Sequence, residues 1–317
     1  MQHQSITDDH KHACFAAADL TSIAILVACD ELLIGAGHLT EDLHEMTIKI
    51  DRPPEVGEYD EGLQALLQIV WGDGFLSPGG PEEVARMLEG SDIRGCSVLD
   101  IGCGLGAIDI LLVNTHGAAS VIGVDLEPQL VARGRERVAA AGLDRRIDLR
   151  VVSEGPLPFD SAGIDVVFTK DSLVHIPDKP KLFAEIRRVL KPGGWFLASD
   201  WLRGGTGPYS PEMLEYFRLE GLTYNMATLE ETGRTLSSAG FVDVELRDRN
   251  EWYRDLAERE SAAMQDEWYP TILSRLGESR AQHFVADWRQ LALVLRRGEL
   301  RPAHYRARRP AVEKPRG

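Results

Sequence analysis

The chain has 317 residues, with 35 Lys+Arg against 50 Asp+Glu for a formal charge of −15, and it is 44% apolar and 27% charged. That suits a globular protein with one large domain and appendages or two modest domains, and excludes collagen-like, low-complexity and disulfide-scaffold chains. The acidic balance also argues against a general nucleic-acid binder, which needs a basic surface to neutralise phosphates. Cys14, Cys29, Cys96 and Cys103 show no CxxC spacing, so they read as reduced thiols and not as a zinc site or disulfide frame. The apolar run Thr21 to Cys29 is too short to span a bilayer. Residues 1–12 lack the basic start of a signal peptide, so the expected location is cytoplasmic, without a membrane partner.

Residues 1–12 are polar. His3, His10 and His12 with Asp8 and Asp9 could loosely hold a metal, but terminal polar residues are the plainer reading. Ala13 to Gly35 carries Phe15, Leu20, Ile23, Ile25, Leu26, Leu32 and Leu33 at helical spacing. So broad an apolar surface calls for a partner, either the main domain or a second copy in a homodimer. Asp51-Arg-Pro-Pro54 reads as the linker that follows. The expected organisation is a helical N-terminal extension over 1–55, a cap segment over 56–90 and the main domain over 91–317.

From Cys96 onward, short apolar runs alternate with helical segments, the pattern of parallel βαβ units. Strands are expected near Ser97–Ile101, Ser120–Val124, Asp148–Val152, Asp165–Phe168, Trp195–Ser199, Phe241–Arg247 and Ala303–Arg308. One edge pair should be antiparallel. Helices are expected over Glu127–Ala141 and Lys179–Leu190, with a helical insertion over 251–297. The run from Arg296 to Gly317 has eight Lys/Arg and two Asp/Glu and reads as a solvated basic end.

The strongest signal is Val98-Leu-Asp-Ile-Gly-Cys-Gly-Leu-Gly106. An apolar strand reaches Asp100, and Gly102, Gly104 and Gly106 follow at alternate positions, where a tight turn lets a ligand approach bare backbone. The next strand ends in Asp125, placed to accept ribose hydroxyls of an adenosine ligand. Gly102-x-Gly104-x-x-Ala107 also satisfies the dinucleotide fingerprint, which leaves an NAD(P)-dependent oxidoreductase as an alternative. Asp100 separates the two. An acid entering the loop repels a pyrophosphate but suits a ligand carrying an ammonium and a sulfonium, so the pattern favours S-adenosylmethionine.

These motifs resemble those of class I S-adenosylmethionine-dependent methyltransferases, as do Ile164-Asp-Val-Val-Phe168 and Leu190-Lys-Pro-Gly-Gly194. More specifically, four segments resemble the phosphoethanolamine N-methyltransferases: Gly74-Phe-Leu-Ser-Pro-Gly-Gly80, Lys170-Asp-Ser-Leu-Val-His-Ile176, Asp178-Lys-Pro180 and Ser199-Asp-Trp201. The likeness runs from about Gly72 to Phe241. It implies an α/β fold: a doubly wound, mostly parallel, seven-stranded Rossmann-like sheet with a helical N-terminal extension and a helical cap around 201–228. It also implies a cofactor set of Leu76, Ser77, Asp100, Gly102, Gly104, Asp125, Leu126 and Lys170. Ser153 and Glu154 stand where the family usually has an Asp for the adenine, and Lys170 stands where it has Arg.

The resemblance further assigns His175 to base or orienting work with an N-terminal Tyr, here Tyr59, and Asp171 to the substrate ammonium. A helical turn after the fourth strand would put Asp171 and His175 on one face. Trp201, Tyr216, Glu220 and Tyr224 would complete the substrate site. In that family, tyrosines and an arginine grip a phosphate in the cap, whereas here Trp201 replaces a Tyr, Glu220 the Arg and Leu222 another Tyr. The expected substrate is therefore a small amine or amino acid held by cation–π contacts, with a thioether such as methionine as the rival acceptor. In the bland reading, Glu220 faces solvent and Arg218 takes the anion. A further alternative is a cofactor-binding regulator without catalysis. No His/Cys/Asp cluster has metal-ligand spacing, so chemistry without a metal is expected.

Overall fold

The computed structural model describes residues 59–222 and 224–311. The N-terminal helix, its linker, the terminal histidines, Cys14 and Cys29 lie outside the described residues. In chain order the elements are α1 (Glu61–Trp71), α2 (Gly80–Met87), β1 (Ser97–Ile101), α3 (Ala107–Asn114), β2 (Ser120–Asp125) and α4 (Pro128–Ala140). Next come β3 (Ile147–Val151), β4 (Ile164–Lys170), α5 (Lys179–Val189), β5 (Leu190–Asp200) and α6 (Pro211–Glu220). The last are α7 (Leu229–Ser238), β6 (Val242–Asp248), α8 (Asn250–Ala263), α9 (Tyr269–Leu276), α10 (Glu278–Arg297) and β7 (Ala303–Arg308).

The strands form one sheet in the order β3-β2-β1-β4-β5-β7-β6. β1 to β5 pair in parallel, and β7 runs antiparallel to both β5 and β6. The antiparallel strand is thus not confined to an edge pair: it slots between two others. Side chains alternate across the pleat, so each strand feeds two cores. Val98, Val121, Leu149, Val166 and Leu197 face α2, α3 and α4, while Leu99, Val124, Val167 and Phe196 face α5 and α7. Burying each such side chain is worth roughly 1.5–3 kcal/mol, and the sheet is covered on both faces, as a parallel sheet requires.

Two expectations need correction. The fifth strand does not begin at Trp195 as expected: Leu190-Lys-Pro-Gly-Gly194 is the irregular start of β5, where the register shifts and Gly193 has φ +80 with its N–H donating to Arg309 O at 2.9 Å. The basic residues from Arg306 to Arg309 are not a solvated end. Arg306 and Arg308 lie over the Trp195 ring at 5.6 and 4.7 Å, and Arg309 donates to the backbone carbonyl of Leu190 at 2.6 Å.

Two further clusters cap the sheet. One joins α6, α8 and α10 through Met213, Phe217, Tyr253, Leu291 and Leu295, and the other joins α1, α9 and α10 through Leu66, Ile272, Phe284 and Trp288. The starts of α1 and α6 are set by Asp60 and Ser210, whose side chains accept the N–H of Leu63 and Met213. No helix among the described residues is long and apolar enough to cross a membrane.

Candidate active site

The glycine turn sits at the carboxyl end of β1, where open parallel sheets bind ligands. Gly102 has φ +81, and a Cβ there would collide with Ser172 Oγ. Gly104 has φ +51, and a Cβ would come within 3.2 Å of Leu76 Cδ1, so Leu76 lies directly over the turn. The N–H groups of Gly102 and Cys103 donate to Val124 O at 2.8 and 3.1 Å. Gly104 N–H donates to Asp125 Oδ2 at 2.9 Å, and Glu127 N–H to Oδ1 at 3.0 Å. The motif and the acid at the end of β2 are therefore one hydrogen-bonded unit.

Two more carboxyls lie beside it. Asp100 is buried, and desolvation, then the nearby Asp109 and Asp125, push its carboxyl well above the ordinary range. Asp109, in the first turn of α3, is fully buried with neither oxygen hydrogen-bonded, and burial pushes it up to about 7. Burial also raises Asp125 against the pull of its backbone donors. Asp109 was not among the residues expected from the sequence; an aspartate in the otherwise apolar Ala107–Asn114 helix was the available signal. A diphosphate would meet repulsion here, whereas a cationic ligand would supply the countercharge the cluster lacks. Leu126 is half exposed, and Ser153 and Glu154 lie just past β3, where Val152 N–H donates to Asp125 O at 2.9 Å.

At the end of β4, Lys170 Nζ lies 2.6 Å from Asp171 Oδ2 and donates to Ser77 Oγ at 3.0 Å. Ser199 Oγ donates to Asp171 Oδ1 at 2.7 Å. Asp171 adopts φ +57, a left-handed conformation uncommon outside glycine. This turns its carboxyl back onto the preceding lysine. Asp171 is therefore not the free anchor for an ammonium that the sequence suggested: both oxygens are engaged and its charge is balanced by a buried cation. Lys170 in turn binds Asp171 and Ser77.

His175 ends a short 3₁₀ turn, Leu173–His175, and not the first turn of an α-helix. Asp200 Oδ1 accepts Val174 N–H at 2.8 Å, and Lys179 Nζ donates to Leu173 O and, at 2.7 Å, to Ile176 O. Burial lowers the Lys179 ammonium and raises the Asp200 carboxyl to about 7, each opposed by the charge of the other.

Tyr59, Leu76, Ser77, Asp171, His175, Trp201, Tyr216, Glu220 and Tyr224, named from the sequence, all line one cavity of about 600 Å³, including its open mouth. The His175 and Tyr224 ring centroids are 5.8 Å apart, and the Tyr216 and Tyr224 hydroxyls are 3.4 Å apart. Arg218 does not take the place of Glu220: it is exposed and bound to Glu215 at 2.6 Å on the outer face of α6, while Glu220 lines the cavity. Sequence reasoning missed Asp287, Trp288 and Trp71, which complete the wall. Asp287 is 3% exposed, and Glu220 lines the same cavity. Burial, then Glu220, raise the Asp287 carboxyl and the Tyr216 and Tyr224 phenols well above their ordinary values. Behind the wall, buried Glu260 accepts the indole N–H of Trp71 at 2.9 Å and of Trp288 at 3.1 Å. Among the described residues no group of three or more His, Cys, Asp or Glu is arranged to hold a metal ion.

Comparison with known proteins places this geometry. Residues 98–194 match the model of a methyltransferase domain. Phosphoethanolamine N-methyltransferase 1 of Arabidopsis thaliana is 33% identical over 221 residues, covering 69% of this chain and 44% of that protein. The Plasmodium falciparum phosphoethanolamine N-methyltransferase is 27% identical over 204 residues, covering 63% of this chain and 74% of that protein. A solved structure, Haemonchus contortus phosphoethanolamine N-methyltransferase 2 with phosphomonomethylethanolamine and S-adenosylhomocysteine, superposes with a TM-score of 0.72 at 26% identity, covering 80% of this chain and 59% of that one. The chain spans about half the length of the plant relatives it matches. With the sheet order, the glycine turn joined to Asp125 and the domain matched over residues 98–194, the chain resembles class I methyltransferases, and the phosphoethanolamine N-methyltransferases among them.

Proposed function

We propose that the protein transfers the methyl group of S-adenosylmethionine to the nitrogen of a small amine or amino acid. The observation that carries this reading is the set of buried carboxyls, Asp100, Asp109 and Asp125, around a glycine turn, with Leu76 both over that turn and on the wall of an acidic, aromatic cavity. When bound, S-adenosylmethionine supplies an electrophilic methyl on a sulfonium. Asp125 would accept the ribose hydroxyls, Leu126 would flank the adenine, and Ser153 and Glu154 would lie at its amine. Gly102 and Gly104 would line the backbone cradle, with Leu76 and Ser77 covering it. Asp100 and Asp109 would offset the positive charge, and Lys170 would hold Ser77 in place.

An ammonium has no free lone pair, so the acceptor nitrogen must lose a proton before it can attack. The His175 imidazole, a base suited to neutral pH, lines the cavity beside Tyr224 with Tyr59 also on the wall. In this reading His175 takes the proton, Tyr59 orients the acceptor, and Asp171 with Lys170 fixes the floor. Trp201, Tyr216 and Tyr224 face the cation and exclude water. Alignment contributes most of the acceleration in such a displacement, which explains why so many contacts fix the turn that carries His175.

Calorimetry with S-adenosylmethionine and with NADH, followed by a screen of small amines, amino acids and thioethers with labelled methyl donor, tests the proposal. Binding of S-adenosylmethionine and label on nitrogen are expected. Binding of NADH alone, or label only on sulfur, would overturn it.

A further inference from the structure

We propose that the methyl acceptor carries a second cationic group, and that Glu220 and Asp287 form the subsite that receives it. This rests on the amine-methylating reading and adds a substrate class to it. Glu220 closes α6 and Asp287 lies on α10, and both line the cavity. Asp287 is 3% exposed and lines the cavity, and its Oδ1 is buried without a hydrogen-bond partner. A buried acceptor left open in that way is costly unless a ligand satisfies it.

The contrast with Asp171 gives the subsite its direction. In the same cavity, Asp171 is paired with Lys170 and capped by Ser199. The charge named beside Asp287 is that of Glu220, which raises its carboxyl further. One ammonium or amidinium group would match this acidic subsite, its N–H groups donating to the open acceptor. The Tyr216 and Tyr224 rings line the same cavity near Glu220 and Asp287 and favour a cation over an anion. Tyr224 has its ring beside His175 and its hydroxyl beside Tyr216. A short diamine offers one nitrogen as methyl acceptor and the other as the second cation. A phosphate dianion would face the acid pair in a poorly solvated pocket and be repelled.

Initial rates with purified protein and S-adenosylmethionine, using ethylenediamine and putrescine against ethanolamine and phosphoethanolamine, test the subsite. A diamine is expected to show about 10-fold higher kcat/KM than ethanolamine, with phosphoethanolamine the poorest acceptor. Glu220→Gln should lower the diamine-to-ethanolamine ratio about 10-fold, and Glu220→Arg should move the preference toward phosphoethanolamine. Calorimetry of putrescine with the unmutated protein and S-adenosylhomocysteine gives the same answer without a variant, as a measurable affinity that ethanolamine lacks. Preference for ethanolamine or phosphoethanolamine over both diamines would overturn the subsite while leaving amine methylation standing. Methylation of no amine, with no S-adenosylmethionine bound, would overturn both.

Discussion

Asp200, the last residue of β5, accepts the backbone N–H of Val174 at 2.8 Å and so ties a buried strand end to the turn that carries His175. Lys179 grips the same turn from the other side through two carbonyls, and Asp200 supplies its countercharge.

Lys179→Met removes both carbonyl contacts and leaves Asp200 buried without a counterion. Losing that countercharge and the contacts to two carbonyls costs about 1–3 kcal/mol, and a displacement of the imidazole by an ångström or so costs on the order of 100-fold in rate. The variant should therefore unfold at lower urea and show kcat reduced on the order of 100-fold, while S-adenosylmethionine affinity by calorimetry changes little. An unchanged kcat would remove the turn from the catalytic account.

The glycine turn separates strain from collision. Gly95 has φ +74, and a side chain added there would meet nothing within 4 Å of its Cβ, so Gly95→Ala should cost only the backbone term, about 1–2 kcal/mol. Gly102→Ala adds a collision with Ser172 Oγ in the turn itself. It should lose more stability in thermal unfolding and bind S-adenosylmethionine measurably more weakly, whereas Gly95→Ala keeps its affinity.

Much of this site could be read from sequence because its parts are local. Gly102, Gly104 and Asp125 are set by a strand–turn–helix unit and the strand beside it, and β1 and β7 have the bounds expected from the sequence, Ser97–Ile101 and Ala303–Arg308. Other features depend on distant packing. Lys170 and Asp171 are adjacent, and neighbours in a strand normally point to opposite faces. They pair only because Asp171 leaves β4 with φ +57. Asp287 sits in the helical row Phe284, Asp287, Trp288, Leu291, Leu295, where an acid within an apolar face is the only trace of the cavity it borders. Glu260 shows no local pattern at all, since its partners Trp71 and Trp288 come from α1 and α10.

Glu260 makes stability depend on pH. Burial raises its carboxyl from 4.5 to about 7 despite two indole donors. A folded-state value above the unfolded one means that the contribution is complete below pH 4.5 and fades as pH rises to about 7. The shift corresponds to about 3 kcal/mol. Urea unfolding across that window should show Glu260→Gln gaining about 3 kcal/mol relative to the unmutated protein. Parallel curves would show that the group does not titrate between the two states.

His175→Ala distinguishes nitrogen from sulfur as the acceptor. With an amine, the variant should lose on the order of 100-fold in kcat and recover part of the rate at alkaline pH, where free amine is more abundant. A thioether needs no deprotonation, so its methylation would fall less and stay nearly flat with pH. Rates from pH 6 to 10 decide between them.

The placement of β7 has a consequence for synthesis. β6 leaves the ribosome well before its neighbour exists, and between them the chain makes α8, α9 and α10. Until residue 308 emerges, β5 and β6 each present an unpaired edge, and the nascent domain is open to pairing with other chains. Chaperone dependence and aggregation should therefore rise sharply for any chain ending before that strand.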